Sequence, residues 1–238
     1  MTTINPETTV GRIVAEQPNR SRVFEALGVD YCCGGKKPLA EVCEKKGLDV
    51  AEVVERLVAV PHPGADADAT LCLEMVLPEL ADHIEATHHA YLRRELPRLT
   101  KMTSKVAKVH GEKDARLGQL SALFERFQGD LEAHMMKEER VLFPAIRRLC
   151  GIDAPCACSP ATIAAPIGVM EAEHDEAGAA LEAMRSLTDD FTPPEWACNT
   201  YRAMLDGLHE LEQDMHQHVH KENSILFPRA LELESSMA

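Results

Sequence analysis

His134-Met-Met-Lys-Glu138-Glu-Arg-Val-Leu-Phe-Pro144 and, 84 residues later, His218-Val-His-Lys-Glu222-Asn-Ser-Ile-Leu-Phe-Pro228 are two copies of one pattern. In each, a histidine precedes a glutamate by four residues, which stacks imidazole and carboxylate on a single helical face, the way helices present metal ligands. Another histidine leads each copy at nearly the same interval, His89 by 45 residues and His174 by 44. Two such units, each a helix with one histidine followed by a helix with His-x-x-x-Glu, predict a four-helix bundle of pseudo-twofold symmetry with ligands facing inward. A lone helical histidine is ordinarily a surface or hydrogen-bonded core residue. Repetition in register, with Leu-Phe-Pro following both times, argues against that reading here.

Four histidines and two glutamates exceed what one ion needs, and two ions bridged by two carboxylates would use all six. Imidazole and carboxylate without thiolate disfavour copper(I) and cysteine-rich zinc sites, while carboxylate-bridged pairs on helical bundles are the usual setting of iron or manganese. Zinc stays open on ligand type alone. The excess of histidine over carboxylate favours iron.

The chain of 238 residues is 45% hydrophobic, enough to fill a bundle core, and its net charge of −14 argues against nucleic acid and anionic membrane surfaces. No stretch approaches the roughly 20 apolar residues that span a bilayer, and the opening Met-Thr-Thr-Ile-Asn-Pro-Glu lacks the features of a signal peptide. The expectation is a cytoplasmic protein whose eight cysteines are thiols. Of these, Cys43, Cys72 and Cys198 read as buried small hydrophobes in helical contexts. Cys150, Cys156 and Cys158 surround a surface loop.

Apolar residues recur every three or four positions and nowhere alternate, so no sheet is expected. Residues 1–60 read as short helices, with Gly28 and Gly47 ending two of them, residues 61–69 as a linker, and residues 70–238 as the bundle. Pro97 should bend or distort the first long helix. Thr192-Pro-Pro-Glu195 should open the last one, with threonine as N-cap.

Several further stretches complete a resemblance: Asp30-Tyr-Cys-Cys-Gly-Gly35, His89 with Leu96-Pro97 seven residues on, Val169-Met-Glu-Ala-Glu-His-Asp-Glu-Ala-Gly178, Thr192-Pro-Pro, and Leu-Phe-Pro-Arg-Ala230. Together with the repeated pattern they make the chain, over almost its whole length, resemble the RIC family. These di-iron "repair of iron centres" proteins join a short Cys-Cys-Gly-Gly domain to a hemerythrin-like bundle. The resemblance implies an all-α fold, a hemerythrin-like four-helix bundle preceded by a small helical N-terminal domain. It implies two non-haem iron ions held by His89, His134, Glu138, His174, His218 and Glu222, with the glutamates bridging. His88 competes with its neighbour for the first position, and the distance to Leu96-Pro97 favours His89. His110 matches a family histidine close to the site. His220 should point away from any site that His218 faces. Glu171 and Glu173 flank His174 and are placed either to bond ligating imidazoles or to face solvent.

The implied function is repair of iron-sulfur clusters damaged by nitric oxide or oxidants, by donating iron or by handling nitric oxide. The expected partners are nitric oxide or dioxygen as small ligand and damaged iron-sulfur proteins as recipients, with a homodimer left open. Cys32 and Cys33 form the second candidate site, because adjacent cysteines close only a strained, easily reduced ring and the two glycines leave room for a partner. Two alternatives remain, a protein that sequesters or senses nitric oxide and a nitric oxide or peroxide reductase. The first would survive loss of Cys32 and Cys33, and the second would turn over with an electron donor.

Overall fold

The computed structural model describes residues 4–60, 72–152 and 162–237. The expected linker 61–69 and Cys156 and Cys158 lie outside these. Among the described residues the fold is all-α, with no strand and a single isolated bridge between Thr9 and Pro38.

The described residues form two compact units, Met1–Ala81 with His216–Ala238 and Asp82–Met215. The N-terminal part of the first carries, among the described residues, the short helices α1 (Val10–Glu16), α2 (Ser21–Ala26), α3 (Leu39–Lys46) and α4 (Val50–Ala59). Their ends follow local chemistry. Thr9 caps α1, and Asp49 caps α4 by accepting the Ala51 N–H at 2.7 Å. Gly28 (φ 61°) and Gly47 (φ 67°) take the left-handed conformation that stops α2 and α3. The docking of this module, which the sequence left open, is onto the chain's C-terminal segment: α1 packs on the turn 222–226, ahead of α11 (Phe227–Met237).

Between them in the chain come α5 (Leu77–Ile84) and four long helices, α6 (Ala90–His110), α7 (Arg116–Lys137), α9 (Ala164–Leu187) and α10 (Asn199–Lys221), with the short α8 (Phe143–Leu149) after α7. In the second unit α7 packs against both α6 and α9. The buried stripe Leu92, Leu96, Leu99, Thr103 and Val106 on α6 has the spacing of a helix seated on one face. The helix α6 runs on through Pro97 as one continuous element.

The last long helix opens at Asn199 and not at Thr192. Thr188 ends α9, its hydroxyl accepting the Phe191 N–H, and Asp189, Asp190 and Phe191 all have positive φ. Arg116 and Arg185 hold the two aspartates as ion pairs. The two prolines that follow sit in a connecting turn whose carbonyls, Pro194 and Glu195, accept from Arg202.

Among the described residues three turns are widened to π-helix, Glu85–His89, Glu138–Leu142 and Glu222–Leu226. Each closes with an N–H bonded to the carbonyl five residues back: Ala90 to Glu85, Phe143 to Glu138, Phe227 to Glu222. Candidate ligands stand at the end of the first turn and at the start of the other two.

Two glycines test this packing. A Cβ on Gly35 would lie 2.6 Å from the Tyr31 carbonyl oxygen, whereas one on Gly118, inside α7, would meet nothing within 4 Å. Gly35→Ala should cost about 2 kcal/mol or more in thermal unfolding, and Gly118→Ala should stabilise by up to about 1 kcal/mol.

Candidate metal centre

Within the second unit four candidate ligands converge. Glu138 is fully buried and aims one carboxylate oxygen at His89 Nε2, 3.2 Å away, and the other at His134 Nε2, 3.3 Å away. His174 Nε2 lies 3.1 Å from His134 Nε2. Two ring nitrogens on one ion, each about 2.1 Å from it and at right angles, would stand about 3.0 Å apart. The observed spacing is that of neighbouring ligands on a shared cation, and a carboxylate with one oxygen toward each of two imidazoles has the disposition of a bridge.

The opposite ring nitrogens fix the tautomers. His89 Nδ1 is 2.7 Å from Glu139 and His134 Nδ1 is 2.9 Å from Glu173. A proton on each Nδ1, donated to a carboxylate, leaves the Nε2 lone pair directed at the site and makes the imidazole a stronger ligand. Each carboxylate is itself anchored, Glu139 by Arg93 and Glu173 by Lys137. Burial works against the charge on Glu173, but Lys137 and His134 overcome it and hold its carboxyl below the ordinary range. Glu173 is therefore a partner of a candidate ligand and not a merely solvated neighbour of His174.

His88 and His89 divide their roles. His88 Nδ1 is 2.8 Å from Asp214, so this buried ring is tied to α10, while its neighbour faces Glu138. His110 ends α6, 21 residues from His89, roughly 30 Å along a helix axis at 1.5 Å per residue. That corrects its expected place beside the metal. Its Nε2 lies instead 3.2 Å from the Cys198 sulfur, with Tyr201 stacked on the ring. Cys198 is exposed and precedes α10, while Cys43 and Cys72 are buried as expected. The late start of α10 leaves Cys198 outside any helix.

In the first unit His218 and Glu222 are both fully buried, with His218 Nε2 3.2 Å from a Glu222 oxygen. The second copy of the pattern thus repeats the His134–Glu138 geometry, including the widened turn. His220 faces elsewhere, its ring 5.6 Å from that of Tyr31, and burial pushes its pKa down to about 4. His216 meets the same tyrosine at 6.0 Å. Beside Tyr31, Cys32 is buried and Cys33 half-buried, their sulfurs 3.9 Å apart. Asn223, next to Glu222, reaches the Cys32 carbonyl at 3.5 Å.

Glu139 went unremarked in the sequence, although it adjoins a ligand candidate one position on. Glu173→Gln should keep the fold and weaken metal retention roughly 10–100-fold, read as the chelator concentration that strips half the metal. Asp214→Asn, at the carboxylate that bonds His88, should leave that midpoint unmoved.

Two family models match the chain. Residues 80–230 match the hemerythrin HHE cation binding domain, and residues 6–60 match a domain described as of unknown function (DUF542). The chain is 39% identical over 232 residues to the iron-sulfur cluster repair protein YtfE of Pectobacterium atrosepticum, covering 94% of this chain and 97% of the relative. It is 38% identical over 222 residues to the protein of that name from Escherichia coli O157:H7, covering 93% and 96%. A cation-binding domain of this kind takes two non-haem iron ions, and the convergent imidazoles and carboxylate fit them. With both domains matched and relatives aligned nearly end to end, the chain belongs to the RIC family of hemerythrin-like iron-sulfur cluster repair proteins.

Proposed function

We propose that this protein restores iron-sulfur clusters damaged by nitric oxide or oxidants, using a di-iron centre held by His89, His134, Glu138, His174, His218 and Glu222, with Glu138 and Glu222 as the bridging carboxylates. The observation that carries the reading is the repeated His-x-x-x-Glu unit, built twice with the same spacing and the same widened turn. The names of the relatives supply the process.

The chain's own residues do four things in this reading. The four imidazoles and two carboxylates bind the metal pair. Glu139 and Glu173 orient His89 and His134 and keep their protons on Nδ1. Burial of Glu138 and Glu222 excludes water from the bridging positions. Cys32 and Cys33 form the second functional site, through which iron passes to a damaged iron-sulfur protein. When bound, the two irons supply ferrous–ferric redox chemistry, iron for transfer, and affinity for nitric oxide or dioxygen.

The organisation is a Cys-Cys-Gly-Gly domain at 1–60, a linker at 61–69 and the di-iron bundle at 70–238. Among the described residues no helix is long and apolar enough to cross a membrane. With a net charge of −14 this supports a cytoplasmic protein that acts on other proteins and not on nucleic acid.

The test measures iron content, Mössbauer spectra and repair of a nitric-oxide-damaged iron-sulfur enzyme by wild type, by Glu138→Ala with Glu222→Ala, and by Cys32→Ser with Cys33→Ser. Wild type should hold about two coupled irons and restore the enzyme. The glutamate variant should lose both properties, and the cysteine variant should keep its iron but restore at least about tenfold more slowly. Iron retained without the glutamates would sink the centre. Nitric oxide binding with no restoration by wild type would replace repair with sequestration, and steady turnover of nitric oxide or peroxide would replace it with a reductase.

A further inference from the structure

The loop between α2 and α3 gathers three metal-ligating side chains of its own. Asp30 Oδ1 accepts the backbone N–H of Cys32 and of Cys33, both at 3.0 Å, and Oδ2 accepts that of Gly34 at 2.7 Å. The loop is thereby wrapped around one carboxylate, and both thiols end on the same side of it. Cys32 Sγ lies 3.2 Å from Asp30 Oδ1 and 3.9 Å from Cys33 Sγ, and one ligand atom from each residue falls within 4.8 Å of the others.

These separations have a chemical meaning. Two thiolates on one tetrahedral ion, each about 2.3 Å from the metal, stand about 3.8 Å apart, and a thiolate and a carboxylate oxygen on such an ion stand about 3.5 Å apart. The Cys32–Cys33 and Cys32–Asp30 separations already lie within a few tenths of an ångström of that geometry, and the third lies within 4.8 Å. The wrap requires the glycines, since a Cβ on Gly35 would sit 2.6 Å from the Tyr31 carbonyl and one on Gly34 would sit 3.1 Å from Asp30. Exposure is graded across the cluster, with Asp30 exposed, Cys33 half-buried and Cys32 buried, so one side faces outward.

We propose that Asp30, Cys32 and Cys33 form a second metal site, which takes one thiophilic divalent cation on two thiolates and a carboxylate and leaves an outward position for a ligand of the recipient protein. Binding releases the two thiol protons to water, and no electron moves. The identity of the cargo, ferrous iron, rests on the repair reading, whereas the site itself does not.

Cobalt(II) is the probe, because thiolate ligation gives it a near-ultraviolet charge-transfer band that imidazole and carboxylate do not produce. It would be titrated anaerobically into the full chain with its di-iron centre loaded, for wild type and for Cys32→Ser, Cys33→Ser, Asp30→Asn and Cys156→Ser with Cys158→Ser. The expected result is a band saturating at one equivalent in wild type and in the Cys156/Cys158 variant. Either loop serine should abolish it, and Asp30→Asn, whose amide oxygen still receives the Cys32 and Cys33 N–H groups while its NH2 group replaces the acceptor of the Gly34 N–H, should weaken binding at least about tenfold. The di-iron absorption, unchanged throughout, reports that the fold persists. No band in wild type, a band that survives Cys32→Ser, or equal affinity in Asp30→Asn overturns the proposal. Any of these leaves the repair reading standing, since that reading is judged on the recovered enzyme; conversely, cobalt binding without enzyme recovery upholds the site and removes its cargo.

Discussion

A carboxylate with no exposure, facing the lone pairs of two imidazoles, is the constraint around which the second unit is arranged. Glu138 points its oxygens at His89 and His134, whose Nδ1 protons are engaged by Glu139 and Glu173. An anion set against nitrogens that present lone pairs, away from water, costs several kcal/mol unless positive charge lies among them. Metal cations supply that charge, and the nitrogen–nitrogen distance of 3.1 Å between His134 and His174 has the span of one ion. The outer ion pairs with Arg93 and Lys137 extend the same logic, because each orienting carboxylate would otherwise add negative charge to a site already rich in it.

The widened turns belong to that constraint. Proline cannot donate to the carbonyl four residues back and its ring collides with it. Pro144 and Pro228 would therefore strain a regular helix at Arg140 and Ser224. Bonding Phe143 to Glu138 and Phe227 to Glu222, five residues apart, opens the turn ahead of each proline and fixes the glutamate at its start. Such turns redirect side chains at functional sites in otherwise regular helices. The turn Glu85–His89 differs in having no proline at its end, the nearest following one being Pro97.

The ligand candidates were legible because metal chemistry imposes residue types at helical spacing, and duplication made the spacing visible twice. Their partners were less legible. Glu139 adjoins Glu138 and Glu173 adjoins His174, but whether either carboxylate bonds an imidazole or faces water depends on which neighbouring helix it meets, a fact of packing that local pattern does not contain. His110 shows the opposite error. A motif match put it near the iron, and helix length alone, 21 residues from His89, removes it. Thr192-Pro-Pro-Glu carries a good helix-start signal that tertiary contacts override. Arg116 and Arg185 hold Asp189 and Asp190 in left-handed conformations, and Arg202 binds the turn carbonyls, so the chain stays non-helical until Asn199. Gly28 and Gly47 were readable for the reason these were not, since a glycine helix stop is decided within a few residues.

The end of α10 does two tasks at once, and the helix period explains how. His218 and Glu222 share a face, as do His216 and His220, and the two pairs are about 200° apart around the axis. One face presents the buried His-x-x-x-Glu pair; the other receives Tyr31, the residue before Cys32. Asn223 then contacts the Cys32 carbonyl, and Gly11 lies so close to the following turn that an added Cβ would come within 2.5 Å of the Ser224 hydroxyl. These contacts all lie within a single compact unit. The N-terminal module is thereby built onto the helix that carries the second His-x-x-x-Glu pair, with Tyr31 on one face of that helix and the candidate ligands on the other.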